Sequence, residues 1–197
     1  AMEDIAAQVL PLNIEKARRE DLISVGLRNG VSGETTCDHE KLLRVGLRGY
    51  IDECRERIAA TCSQSAEEQE KIDFWNACII QCEGLITYAH RMADEAARQA
   101  EQCADPERRA ELLQIAENCR VVPENPPETF WQALQMVWFA HVYFHIEVCT
   151  TACGFGRFDQ YMWPFYRKDV LEDGTLSREK ALELLECFYL KACEVYE

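Results

Sequence analysis

Two histidines four residues apart, His141 and His145, followed by Glu147, are the first residues whose types and spacing suggest chemistry. On a helix they share one face, and an HxxxH pair is half of a zinc site. The metalloprotease form needs a Glu directly after the first His, and Val142 stands there. The spacing therefore reads as a pair of core histidines. His145 and Glu147 can still line a pocket, because a loop follows them. A metal-binding helical bundle built on His141, His145 and Glu147 is the lesser alternative, and no metal site is assigned.

The chain carries 11 cysteines, a high and odd number. Cys78 and Cys82 sit four apart, as do Cys149 and Cys153, and no CxxC pair occurs. That spacing fits neither a secreted disulfide framework nor a zinc ribbon. The first twelve residues include Glu3 and Asp4 and lack a basic stretch leading into an apolar one. Free thiols acting as small hydrophobes in a reducing cytoplasm are expected.

Other candidates have plainer readings. Gly154-Phe155-Gly156-Arg157 is too short for a phosphate-binding loop. Leu47-Arg48-Gly49-Tyr50 lies inside an amphipathic helix pattern, where Gly46 and Gly49 are expected to allow close helix–helix contact. Asp52-Glu53, Glu67-Glu68 and Asp94-Glu95 are expected on solvated faces. With 4 histidines and no GxSxG, no Ser-His-Asp set can be argued.

The elements that position these residues are helical. Apolar types make up 48% of the 197 residues and charged types 28%, which excludes disordered and fibrous classes. Nine glycines and six prolines leave room for long regular elements. A net charge of −14 argues against nucleic acid as a partner. No stretch of about 18 apolar residues predicts a membrane span. One or two short helices are expected over Ile5–Leu27, with Arg28–Asp38 the most turn-like segment. Asp38 then caps a helix over about 39–61. A second follows over about 66–103 with Ile72, Trp75, Ile79, Cys82, Ile86 and Ala89 on one face. Asp105-Pro106-Glu107 starts a third, reaching about Arg120. Val122–Glu128 reads as extended by its prolines and launches a helix over about 127–148. That helix is apolar nearly all round and belongs in the interior of a large protein. Cys149–Gly156 reads as a loop or short strand. Helices over about 157–170 and from Ser177 to the end complete an all-α chain.

Longer motifs add a family. Val122-Pro123-Glu124-Asn125-Pro126-Pro127-Glu128-Thr129-Phe130-Trp131-Gln132-Ala133-Leu134-Gln135, then Val137-Trp138-Phe139, resembles the VPxxPPxTFWEALQxxWF stretch of the glycyl radical enzymes. Gly156-Arg157-Phe158-Asp159-Gln160-Tyr161 resembles their GRFDQY block, and Asp38–Gly49 their D-Y-E-K-[VL]-L-x-x-G-L-x-G segment. The closest group is the pyruvate formate-lyase-like lyases and dehydratases.

The resemblance implies large homodimeric anaerobic enzymes built on a ten-stranded β/α barrel. A glycyl radical, installed by a separate S-adenosylmethionine and iron–sulfur activating enzyme, oxidises a cysteine on a central loop. The resulting thiyl takes a hydrogen atom from a small organic substrate. Neither the Gly-Cys-x-Glu loop nor the Arg-Val-x-Gly-Tyr loop occurs in this sequence. The chain is thus expected to be a helical fragment of the N-terminal half (residues 1–38 a segment and loop, 39–121 long helices, 122–197 the motif region). Its full-length form would be a lyase or formate acetyltransferase-like enzyme, and the fragment alone would be inactive and would expose apolar surface. A standalone helical interaction module is the alternative.

Dehydratase members carry a Gly-His before the D-Y-E-K segment and a His-Ser before GRFDQY. Here those places hold Gly33-Glu34 and Thr151-Ala152. The resemblance makes Glu34, Thr151, Ala152 and His145 the candidate pocket residues, with no catalytic residue assigned. A carboxylate at 34 would suit a cationic substrate or serve as a base.

Overall fold

In the computed structural model the described residues are 34–148 and 152–194; the helices expected over Ile5–Leu27 lie outside them. Six α-helices and one pair of short strands are present among these residues. Strand β1 (Glu34–Thr36) leads into α1 (His39–Ala60). Helices α2 (Ala66–Gln102) and α3 (Pro106–Val121) follow, then α4 (Phe130–Tyr143), which continues as a π-helical turn over Phe144–Val148. Strand β2 (Ala152–Gly154), α5 (Phe158–Tyr166) with a π-helical extension over Arg167–Glu172, and α6 (Arg178–Glu194) complete the order.

Helix starts follow from short-range chemistry. The Asp38 carboxylate accepts from the Lys41 N–H at 3.0 Å, and Asp105 from the Glu107 N–H at 3.0 Å with Pro106 in the first turn. Ser65 Oγ accepts from the Glu68 N–H and donates to the Glu68 carboxylate, which also accepts from the Gln64 N–H at 3.1 Å. Ser177 Oγ accepts from the Lys180 N–H at 3.0 Å.

Ala89, Ala93, Ala96 and Ala100 form a buried row along α2. Their small side chains let α3 approach closely through Leu112, Ala116 and Cys119. Helix α4 is central: Phe130, Ala133, Met136, Val137, Phe139 and Ala140 are all buried, and α1, α2, α3, α5 and α6 pack around it. The apolar-all-round pattern is thus explained by neighbours on every side.

Gly84 lies in the interior of α2, and a Cβ there would meet nothing within 4 Å. Replacing Gly84 by Ala removes backbone freedom from the unfolded chain without a clash. Urea denaturation is expected to show a gain of about 0.5–1 kcal/mol.

Helix α4 receives its N-terminus from a distant element. The buried Asp169 carboxylate accepts from the Phe130 N–H at 2.7 Å, and Thr129 Oγ1 accepts from Gln132 N–H at 3.2 Å. Lys168 Nζ lies 3.5 Å from the other Asp169 oxygen. Asp169→Ala leaves a buried N–H at a helix start without its anion. The expected loss is about 2–3 kcal/mol in a denaturant titration.

Three expectations are corrected. Gly46 and Gly49 are not helix–helix contact positions. Gly46 has φ +63° and ψ 177° and breaks α1 in two against the Glu124–Asn125 backbone, while a Cβ on Gly49 would strike Val45 of the same helix. Val122–Glu128 is not extended throughout, because the Val122–Pro123 peptide is cis and Asn125 N–H donates to Val121 C=O, closing a turn. The turn-like segment Arg28–Asp38 ends in a strand, since β1 gains backbone partners 118 residues away in β2.

Apolar side chains are also exposed. Ile80 on α2 is 67% exposed and Leu190 on α6 66%, with Phe74, Leu182 and Tyr189 beside them in the same elements. No helix among the described residues is long and apolar enough to cross a membrane.

Candidate functional site

The segments before α1 and before α5 meet as a parallel pair. Glu34 is in register with Ala152, Thr35 with Cys153 and Thr36 with Gly154. Parallel strands need a long crossover, and here the crossover is the whole of α1 to α4. Two of the sequence-predicted pocket residues, Glu34 and Ala152, thus occupy directly paired positions. Thr151 lies outside the described residues. Gly154 and Gly156 leave room for the Thr36 side chain, since added Cβ atoms would sit 3.4 Å from its Oγ1 and 3.0 Å from its Cγ2.

Buried rings and thiols gather beside this pair. Cys153 is buried, and it lies near enough to Cys37 to influence its ionisation. The His39 ring stands 5.0 Å from Tyr161, and His141 stands 4.7 Å from Phe155 and 4.5 Å from His145. Tyr161 Oη donates to the Phe155 carbonyl at 2.7 Å, tying α5 to the end of β2. His39 is 3% exposed and His141 2%. Neither imidazole has a hydrogen-bond partner among the protein atoms.

Burial sets the charge state of this layer. Desolvation lowers His39 and His141 to about 4, the former opposed by Asp38 and the latter reinforced by His145 and His39. His145 is lowered by the same cause. Burial raises Cys37 to about 11, helped by Cys153 and Asp38, and also raises Cys153 and Tyr161. At neutral pH the imidazoles, thiols and phenol here are all uncharged.

His145 sits in the π-helical turn after α4, one turn beyond His141, and Glu147 lies in the same turn. Among the described residues no three His, Cys, Asp or Glu side chains converge as a metal-ligand set. The ten cysteines described are all free thiols.

Sequence reasoning missed His39, Cys37, Cys153 and Tyr161. In the sequence His39 serves only as the first residue of the helix that Asp38 caps. The available signal was its place between the capping Asp38 and the apolar face of Leu42, Leu43 and Leu47. An open cleft of about 440 Å³ lies next to Tyr161, between α1 and α5, with Arg44 and Arg157 on its wall.

The pyruvate formate lyase-like family model matches residues 1–197. The chain belongs to that family. Isethionate sulfite-lyase of Oleidesulfovibrio alaskensis is 44% identical over 155 residues, covering 78% of this chain and 19% of that protein. A structure described as 1,2-propanediol dehydration in Roseburia inulinivorans superposes with a TM-score of 0.81 at 35% identity, covering 95% of this chain and 22% of that one. A glycyl radical enzyme from Archaeoglobus fulgidus gives 0.73 at 40% identity, over 78% and 20%. This pyruvate formate lyase-like chain therefore spans about a fifth of the length of the relatives it matches.

Proposed function

We propose that this chain forms one wall of the substrate chamber in a glycyl radical lyase that cleaves a carbon–heteroatom bond of a small organic molecule. The observation that carries this reading is the register pairing of Glu34 with Ala152. Two segments far apart in sequence set the positions that distinguish this chain from a dehydratase pattern side by side. The relatives support a lyase over a formate acetyltransferase. One acts on isethionate and another is described by propanediol dehydration.

A glycyl radical, installed by a separate S-adenosylmethionine and iron–sulfur activating enzyme, supplies one-electron chemistry at a substrate C–H in such enzymes. Neither reactive loop pattern occurs within these 197 residues, so the chain alone performs no turnover. Its own contribution is shape and polarity. An acid at 34 accepts a hydrogen bond from a substrate hydroxyl or pairs with a substrate cation, where an imidazole would do neither in the same way. Ala152 adds space where a serine would donate. The uncharged layer beside the strands keeps that wall apolar, which sharpens any charge placed on it. The whole enzyme works as a homodimer in the cytoplasm.

The test uses the protein that carries this chain, produced anaerobically with its activating enzyme. Radical yield is read by electron paramagnetic resonance, and sulfite or aldehyde release from isethionate, propane-1,2-diol and amino-alcohol substrates is assayed. Glu34→Gln is expected to leave the radical signal intact and lower kcat/KM on the preferred substrate by about 100-fold, the scale of one charge-assisted contact. Unchanged kinetics would remove Glu34 from the pocket. Absence of any radical would overturn the reading as a whole.

A further inference from the structure

The cleft between α1 and α5 carries positive charge that the fold does not use. Arg44 on α1 and Arg157 at the start of α5 are both exposed on its wall. Most other basic side chains among the described residues are ion-paired, as Lys41 is with Glu53, Arg98 with Glu95 and Arg108 with Glu111. Arg44 and Arg157 pair with no carboxylate among the described residues. Glu40 lies one turn before Arg44 on the same wall and leaves it unpaired. In a chain of net charge −14, two unpaired guanidiniums against one carboxylate reverse the sign locally.

The floor of the cleft is apolar and held in place. Leu43 of α1 is buried beneath it, and Tyr161, Pro164 and Phe165 of α5 face it. Arg157, Tyr161 and Pro164 recur at helical spacing, so one face of α5 presents both a cation and apolar rings. Tyr161 cannot swing away: its hydroxyl donates to the Phe155 carbonyl at 2.7 Å, and the His39 ring backs it at 5.0 Å. A volume of about 440 Å³ with a preformed apolar floor and a few charged groups has the character of a small-molecule site.

We propose that this cleft binds a phosphate monoester carried on a flat apolar ring, with Arg44 and Arg157 on the phosphate and the ring on Tyr161, Pro164 and Phe165. Each guanidinium offers five N–H donors in a rigid fork. Two forks exceed what the two oxygens of a carboxylate accept and suit the three terminal oxygens of a phosphate. Inorganic phosphate would engage the arginines but leave the apolar floor in water, so the ring adds affinity. Glu40 opposes the phosphate as a like charge and limits that affinity.

The experiment uses the whole protein that carries this chain, without its radical, and titrates it with phenyl phosphate in a calorimeter at pH 7.5 and low salt. Binding is expected about 10-fold tighter than for inorganic phosphate and weaker as salt rises, while benzyl alcohol gives no heat. Arg44→Gln and Arg157→Gln should each weaken phenyl phosphate by about 10-fold, the scale of one charge-assisted contact. Glu40→Gln should tighten it by about 2-fold, the scale of an exposed charge. Arg91→Gln, on α2 and outside the cleft, should change nothing. No heat with phenyl phosphate, equal affinity for inorganic phosphate, or unchanged binding in the Arg44 and Arg157 variants overturns the proposal. The comparison of phenyl phosphate with inorganic phosphate is read on the unmutated protein, so it does not depend on any variant folding.

Discussion

Gly46→Ala is expected to lose about 3–5 kcal/mol of stability, the largest single-residue effect in the chain. Two independent costs combine. The backbone at 46 has φ +63° and ψ 177°, a region open in practice to glycine alone. A Cβ there would also sit 2.6 Å from the Glu124 carbonyl oxygen and 2.8 Å from the Asn125 carbonyl carbon. Those are backbone atoms of a tight turn and cannot swing aside. The kink has a purpose: it lets the turn's carbonyls cap the second half of α1. Pro123 C=O accepts from Leu47 N–H and Glu124 C=O from Arg48 N–H, each at 2.9 Å. The Glu124 side chain then pairs with the Arg48 guanidinium and approaches His90 Nε2 at 3.3 Å. Moving the turn to accommodate a methyl breaks this whole junction of α1, α2 and the α3–α4 connection. Guanidinium titration of Gly46→Ala beside Gly84→Ala gives the contrast: one falls steeply, the other rises slightly. A loss below about 1 kcal/mol at 46 would show that the turn is soft.

The second large effect is with pH. His39 and His141 are held near 4 in the folded chain against about 6.5 unfolded. Their folded pKa is depressed, so the unfolded chain binds more protons between pH 6.5 and 4. Stability is therefore complete above about 6.5 and is lost as pH falls through that window. Linkage gives about 2 kcal/mol per histidine between pH 7.5 and 5, so about 4 kcal/mol together. The paired carboxylates of Glu53, Glu95 and Glu111 are also lowered, but in the unfolded chain such groups are only about a quarter protonated at pH 5, so they add little above it. Thermal melts or urea midpoints at pH 7.5, 6.5, 5.5 and 5.0 isolate the histidines. The slope should reach about two protons from His39 and His141, with a further part from His145, and His141→Gln should lower it by about one. A flat profile would mean that both imidazoles reach water.

The parts of this fold legible in the sequence are those decided within a few residues. Asp38, Asp105-Pro106 and Ser177 announce helix starts because a cap is a local hydrogen bond. The apolar circumference of Phe130–Ile146 announces an interior helix because periodicity is local too. Illegible features depend on distant partners. Nothing near Glu34-Thr35-Thr36 announces a strand, since its ladder comes from Ala152–Gly154. Nothing near Phe130 points to the Asp169 carboxylate that holds its N–H. Gly46 was visible as a glycine but not as a left-handed break, which is set by the Glu124 turn. For the site, the family motifs singled out Glu34 and Ala152, and the fold sets them opposite each other. The uncharged His39, Cys37 and Tyr161 layer beside them came only from tertiary packing.

The strand pair also has a kinetic meaning. Its two halves are separated by four helices and more than a hundred residues, so their hydrogen bonds close very long loops. Three residues on each side repay that entropy only after α1 to α4 have docked. Pairing should thus be the last event in folding and the first to open. Amide exchange would read this directly: protection at Thr35, Thr36 and Cys153 should collapse at far lower denaturant than at Ala93 or Val137. The proposed chamber wall is then the least anchored part of the fold, drawn up against a helical base that forms without it.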